Sequence, residues 1–161
     1  MTDPTSLRVA LPSDVETIVR HRRLMFSEMG IADAAALDAM ATAAATSLRE
    51  GLEDGSYRGW LIEAQGRVVA GGGLVIFNYQ PSPSEPVSRR AAILNMHTEA
   101  DWRRRGLARQ LMEQMISWCR AKGFRAVSLH ASDEGRPLYA ALGFEPTNEM
   151  RLMLGGESSG R

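Results

Sequence analysis

Arg103-Arg104-Arg105-Gly106-Leu107-Ala108, followed at once by the amphipathic run Arg109 to Cys119, joins a basic turn to a helix start. The first N–H groups of a helix have no intrahelical partner, and the macrodipole places roughly half a positive charge beside them, so an anion is stabilised there. Gly106, without a Cβ, lets phosphate oxygens approach the backbone. Upstream, Ala91 to Thr98 reads as a largely buried strand, and strand, basic turn, helix is the order of a dinucleotide or pyrophosphate site. Arg103, Arg104, Arg105 and Arg109 add attraction that salt would screen.

The other side chains able to do chemistry are scattered. Three histidines, His21, His97 and His130, stand far apart without metal-ligand spacing, so no metal is expected. The one cysteine, Cys119, shares an apolar stripe with Leu111, Met112, Met115 and Ile116. A thiol nucleophile needs an exposed electropositive setting, so Cys119 reads as core packing. His21, Arg22 and Arg23 on the first helix suit a carboxylate on a small amine, and Met25, Phe26 and Met29 suit an apolar pocket. Solvated arginines and core methionines explain the same spacing.

These groups are positioned by a mixed set of elements. Leu7 to Ala10 reads as a short strand, and Pro12, Ser13 and Glu16 form a capping box for a helix ended by Gly30. Ala34 to Leu52 is an alanine-rich second helix closing near Gly51 or Gly55. Trp60 to Ala64, begun around Tyr57 or Arg58, turns at Gln65-Gly66 into Val68 to Phe77, a hairpin whose Gly71-Gly72-Gly73 run implies a bulge or a close backbone neighbour. Pro81, Pro83 and Pro86 make Asn78 to Ser88 a loop over a site or a subunit edge. After the helix of the basic turn, with Gly123 past its end, come a strand at Ala126 to His130, a short helix at Pro137 to Leu142 ended by Gly143, and a last strand at Met150 to Leu154. Residues 155–161 read as a frayed tail. Trp102 anchors the turn or meets another subunit.

Length and charge set bounds. A chain of 161 residues suits one domain, assigned to 1–154, that buries about two thirds of its unfolded surface. Lys+Arg and Asp+Glu are 19 each, so no whole-molecule field attracts nucleic acid or an anionic membrane. A single cysteine fits a reducing compartment. No segment has a secretory signal's order, and no apolar run reaches the roughly 20 residues that span a bilayer. A cytoplasmic location follows as the expectation.

With these residues in place the chain resembles the GCN5-related N-acetyltransferase (GNAT) superfamily. Its cofactor motif, Arg or Gln, two residues, Gly, one residue, then Gly or Ala, is filled by Arg103, Gly106 and Ala108. A second match, Ser132-Asp133-Glu134-Gly135-Arg136-Pro137-Leu138-Tyr139-Ala140-Ala141-Leu142-Gly143-Phe144, resembles the family's next strand end and helix. The matches run from about Ala91 to the end; the N-terminal third agrees only in element order. The resemblance implies an α/β (α+β) fold, with a mixed, mostly antiparallel sheet of about six or seven strands, flanking helices and splayed central parallel strands. It implies acetyl-coenzyme A with its pyrophosphate on the N–H groups of Arg104, Arg105, Gly106, Leu107, Ala108 and Arg109 and its pantetheine along Met96, His97 and Thr98. It also suggests a homodimer.

The implied activity is acetyl transfer to a primary amine of a small molecule or peptide, by direct attack. Such a reaction needs a neutral amine, a donor to the developing oxyanion and a proton for the leaving thiolate. The resemblance assigns the donor to a backbone N–H near Thr98 and the proton to Tyr139, with Ser132, where relatives often carry asparagine, on the pantetheine. The base departs from the family: relatives place Glu or His on the strand before the cradle, where Ala92 and Leu94 stand here. His130, at the end of the next strand, is the first candidate base, ahead of His97 and then Glu28, with a water relay or direct deprotonation by solvent as the alternatives. That departure motivates a second reading, a non-catalytic acyl-coenzyme A sensor. Nucleic-acid binding is the least supported, because one basic turn lacks an extended patch with interleaved aromatics.

Overall fold

A computed structural model of the chain describes residues 3–155. They fall into two compact units, one ending at His130 and one beginning at Ala131.

The first unit is built on a sheet of five strands: β1 (Ser6–Val9), β2 (Tyr57–Ala64), β3 (Arg67–Asn78), β4 (Arg89–Thr98) and β5 (Val127–Leu129), adjacent in that order. β1 to β4 pair antiparallel, and β5 pairs parallel with β4. The hairpin between β2 and β3 turns where expected, with Gln65 and Gly66 at positive φ (52° and 74°), the backbone a two-residue primed turn requires.

Three helices flank this sheet: α1 (Val15–Glu28), α2 (Ala34–Asp54) and α3 (Leu107–Ala121). α1 starts differently from the expected capping box. A 3-10 turn at Pro12–Asp14 precedes it. Asp14, not Ser13, accepts the Leu11 N–H at 2.8 Å and holds the Arg8 guanidinium through two hydrogen bonds. Arg8 in turn keeps the Asp14 carboxyl below its usual range. α2 opens on Asp33, whose side chain accepts the Ala36 N–H, and closes on Gly55 at φ 83°; Gly51 lies inside the helix.

Successive β3 residues point to opposite sheet faces, and their neighbours identify the layers. A Cβ on Gly71 would meet His21 of α1, and one on Gly72 would meet Met115 of α3, so α1 and α3 cover opposite faces. On the α1/α2 face Val15, Ile18, Leu48, Tyr57 and Leu61 form one core cluster. On the other, Leu111, Met112, Met115 and Cys119 are buried beneath α3, and Trp60 meets Trp118 edge-on at 5.8 Å. Cys119 is buried, which pushes its thiol up to about 11, as expected of a packing residue.

The second unit contains α4 (Arg136–Ala141), followed by Gly143 at φ 96°. Two expectations need correction. The described sheet has five strands, not six or seven, and its parallel pair lies at one edge rather than in the centre. The last strand assigned to Met150–Leu154 is absent. These residues carry an apolar pattern, but they pair with no strand among the described residues and Met150, Leu152, Met153 and Leu154 are exposed. An apolar pattern alone does not make a strand; a ladder partner does. Residues 156–161, most of the anticipated tail, lie outside the described residues. No helix among the described residues is long and apolar enough to cross a membrane.

Candidate functional site

β4 is longer than the partner on its outer side. It pairs with β5 only through Ala91, Ala92 and Ile93, while its pairing with β3 continues to Thr98. From Leu94 to Thr98, which includes Met96, His97 and Thr98, the outer main-chain edge of β4 therefore has no strand partner among the described residues. An edge of this kind accepts an extended ligand by strand-like hydrogen bonding.

The edge runs directly into the basic turn. A 3-10 turn at Ala100–Trp102 follows Thr98, and Arg104 (φ 60°) and Gly106 (φ 79°) both adopt left-handed conformations before α3 begins at Leu107. The first bond of the helical ladder runs from the Gln110 N–H to the Gly106 carbonyl at 3.0 Å. The N–H groups of Leu107, Ala108 and Arg109 thus precede the ladder, as an anion cradle requires. A Cβ at Gly106 would meet nothing within 4 Å. Its φ of 79° is one that L side chains rarely adopt, so glycine suits the turn for its backbone, and the open space beside it leaves the N–H groups of the helix start uncrowded.

The arginines of the turn have separate tasks. Arg103 points away from the cradle: its Nε donates to the Thr98 carbonyl at 2.9 Å and its Nη2 donates to both Glu28 oxygens at 2.9 and 2.8 Å. It ties the end of β4 to the end of α1, and Glu28 is held as its counter-ion. Arg105 lies 4.4 Å over the Trp102 ring and donates to the Asp101 carbonyl. Trp102 is buried, so it anchors the turn. Arg109 faces Glu113 one helical turn on, and Arg104 is exposed.

The α1 face of the open edge carries a polar cluster that sequence spacing did not reveal. The β3–β4 register passes from Gly71↔His97 to Gly73↔Leu94, so Asn95 and Met96 together oppose the single residue Gly72. This is a β-bulge, and Asn95 takes φ 59° in it. The bulge turns Asn95 toward the helices: Arg22 Nη1 donates to Asn95 Oδ1 at 2.9 Å, and Asn95 Nδ2 donates to the Tyr57 hydroxyl at 3.2 Å. The glycines of the triplet make room for side chains, Leu61 and His21 beside Gly71, Met96 and Met115 over Gly72, and Tyr57 over Gly73. The triplet was the one sequence signal for this cluster. It announced crowding without naming the neighbours.

His97 and His21 meet with ring centroids 4.9 Å apart. Both Nε2 atoms are buried without a hydrogen-bond partner among the described residues, although Glu99 Oε1 lies 3.6 Å from His21 Nε2. Burial, with the neighbouring His97 and Arg20, pushes the His21 pKa down to about 4. Burial also lowers that of His97, against the raising influence of Glu28 and Glu99. Both rings are therefore neutral at pH 7. Burial raises the Glu99 carboxyl, but the hydrogen bond and charge of its Arg20 partner leave it lowered. Burial pushes Tyr57 up to about 12, so its hydroxyl stays protonated. His130 is exposed just beyond β5 and is not part of this cluster. Among the described residues no three His, Cys, Asp or Glu side chains gather into a metal-holding group.

In the second unit, the Tyr139 ring rests against Gly135, where an added Cβ would lie 2.7 Å from Cε2 and 2.9 Å from the hydroxyl oxygen. Phe144 packs edge-on at 6.1 Å, and burial raises the Tyr139 pKa, so the phenol keeps its proton. Ser132 Oγ accepts the Gly135 N–H at 3.1 Å, a turn-capping role.

Comparison with known proteins agrees with this geometry. The model of the acetyltransferase (GNAT) family matches residues 25–144. A GCN5-related N-acetyltransferase from Ralstonia eutropha JMP134 is 37% identical, with a TM-score of 0.90 over 95% of this chain and 100% of that one. A predicted acetyltransferase with acetyl-CoA from Clostridium acetobutylicum, 21% identical, has a TM-score of 0.84 over 94% of this chain and 96% of that one. An aminoglycoside N-acetyltransferase in complex with CoA, 19% identical, has a TM-score of 0.67 over 98% of this chain and 97% of that one. The last two share the fold. No curated protein matches. An open β4 edge leading into an Arg-x-x-Gly-x-Ala helix start, matched by family across most of its length, makes this chain a member of the acetyltransferase (GNAT) family.

Proposed function

We propose that this chain, acting as one domain over residues 1–154, is a cytoplasmic N-acetyltransferase that moves acetyl from acetyl-coenzyme A to a primary amine of a small molecule or peptide. The observation that carries the proposal is the continuity of the unpaired β4 edge, Leu94 to Thr98, with the cradle at Arg104 to Arg109. A pantetheine amide chain matches a strand edge in spacing and hydrogen-bonding groups, and a pyrophosphate matches N–H groups at a helix start. Acetyl-coenzyme A supplies the activated thioester.

The chain's own groups divide the rest of the reaction. A main-chain N–H near Thr98 donates to the carbonyl oxygen as negative charge grows on it. Tyr139, protonated at neutral pH, donates to the departing thiolate, while Ser132 contacts the pantetheine. On the acceptor side the amine must lose a proton as the carbon–nitrogen bond forms. His130 and His97 are the histidines available for that step, and Glu28 is engaged by Arg103. We favour His97 over His130, because it is a neutral imidazole on the stretch of β4 that lacks a strand partner and its buried Nε2 has no hydrogen-bond partner among the described residues. Direct attack needs no acyl-enzyme, in keeping with the buried, raised Cys119 thiol.

Thiol release from acetyl-coenzyme A across amino acids, polyamines, aminoglycosides and peptides tests the reading. Turnover with one amine class is expected, with kcat falling by roughly 10²-fold or more in Tyr139→Phe at unchanged acetyl-coenzyme A affinity. His97→Gln should lower kcat and remove the acidic limb of its pH profile, whereas His130→Gln should leave that limb in place. Tight acetyl-coenzyme A binding without release for any amine would instead support the sensor reading.

A further inference from the structure

Arg22 differs from the arginines around it. Arg20 pairs with Glu99, Arg23 with Asp38 and Arg103 with Glu28. Arg22 is half-buried, its guanidinium lies 4.9 Å over the Phe26 ring, and its one hydrogen bond among the described residues goes to the neutral Asn95 amide. The next member of the chain, the Tyr57 hydroxyl, is also neutral. Among the described residues no carboxylate pairs with this cation, although burial of a charge disfavours it unless it is paired. The guanidinium keeps four further N–H donors in a planar fork that suits a carboxylate.

Its position gives the fork a purpose. Asn95, which holds it, lies within the unpaired stretch of β4, two residues before His97 and three before Thr98. At a strand rise of about 3.3 Å per residue, the cation stands roughly 10 Å or less along the strand from Thr98. A molecule that pairs an anion with Arg22 and presents an amine to that stretch must be short. We infer that Arg22 is the anion-recognising residue of the acceptor site, and that the acceptor is an amine carrying a carboxylate within a few bonds, as in a free amino acid. The inference rests on the proposed acetyl transfer and names its substrate class. Polyamines and aminoglycosides, which bring further positive charge to an uncompensated arginine, are disfavoured.

The test compares free amino acids with their amides and with aminoethylphosphate, in wild type, Arg22→Gln and Arg22→Lys. Charge-assisted bonds of this kind predict a kcat/KM preference for carboxylate over amide of about 10- to 100-fold. The preference should appear mainly in KM, vanish in Arg22→Gln and persist, weakened, in Arg22→Lys, with acetyl-coenzyme A affinity unchanged in all three. A wild type that uses amides, aminoethylphosphate or polyamines as well as carboxylates overturns the inference, as does a preference that survives Arg22→Gln. Calorimetry of amino acid binding in the presence of coenzyme A separates this from the transfer reaction itself. Binding that needs the carboxylate and Arg22, without turnover, upholds the anion site while refuting acetyl transfer; absence of such binding refutes the anion site.

Discussion

His21 shows how one buried side chain couples folding to pH. Its pKa is about 4 in the folded chain against the usual 6.5, because burial excludes the imidazolium. Between those values the unfolded chain binds the proton and the folded chain does not, so stability falls as pH falls through that window. The difference corresponds to about 3 kcal/mol, and His97, lowered in the same direction, adds to it. Urea unfolding at a series of pH values should therefore show a decline from pH 6.5 downward that is shallower in His21→Leu; an identical slope in the variant would contradict the placement of the ring. None of this was legible in the sequence, because His21 and His97 are far apart in the chain and only the packing of α1 over β3 and β4 joins them.

At the scale of elements, the glycine triplet decides whether β3 can lie between α1 and α3. A Cβ on Gly73 would approach the Tyr57 hydroxyl oxygen to 2.1 Å, and that hydroxyl is fixed by Asn95. Gly73→Ala should cost about 1–3 kcal/mol by overpacking and disturb the Asn95–Arg22 contact, measurable as a lower urea midpoint. Gly106→Ala has a different cause, since no atom is near: a φ of 79° costs an L-residue about 1–2 kcal/mol. It should weaken acetyl-coenzyme A binding measured by calorimetry, because relieving the strain turns the cradle. Periodicity and turn chemistry foretold β1 to β5, α1 to α4 and the cradle, since each has a local signature. The bulge at Asn95 had none: a single polar residue in an apolar strand is silent until the register with β3 is known. Met150–Leu154 misled for the opposite reason, having a strand's pattern without a ladder.

For the molecule as a whole, equal numbers of basic and acidic residues leave electrostatics to local groups. The exposed Arg104 and the Trp102-stacked Arg105 stand at the cradle, whereas Arg103 is spent on Glu28. Acetyl-coenzyme A affinity should fall only a few-fold between low and moderate salt, and Arg104→Ala should reduce both affinity and that dependence. A steep loss with salt, of the kind a phosphate-tracking surface produces, would contradict a cradle made chiefly of main-chain donors. Much of the whole was readable because a family pattern spans Arg103 to Phe144. Arg22 was one of three neighbouring candidates on α1, but what singles it out, the contact of its guanidinium with Asn95 and through Asn95 with Tyr57, joins α1, β4 and β2 and exists only in the fold.

Direct transfer is the central claim, and isotopic label in the acetyl group of acetyl-coenzyme A follows it most directly. After incubation with an amino acid acceptor, mass spectrometry should find the label on the acceptor nitrogen and none on the protein. Stoichiometric label on Cys119 or another side chain, or label that stays on coenzyme A while the cofactor binds tightly, would contradict the account.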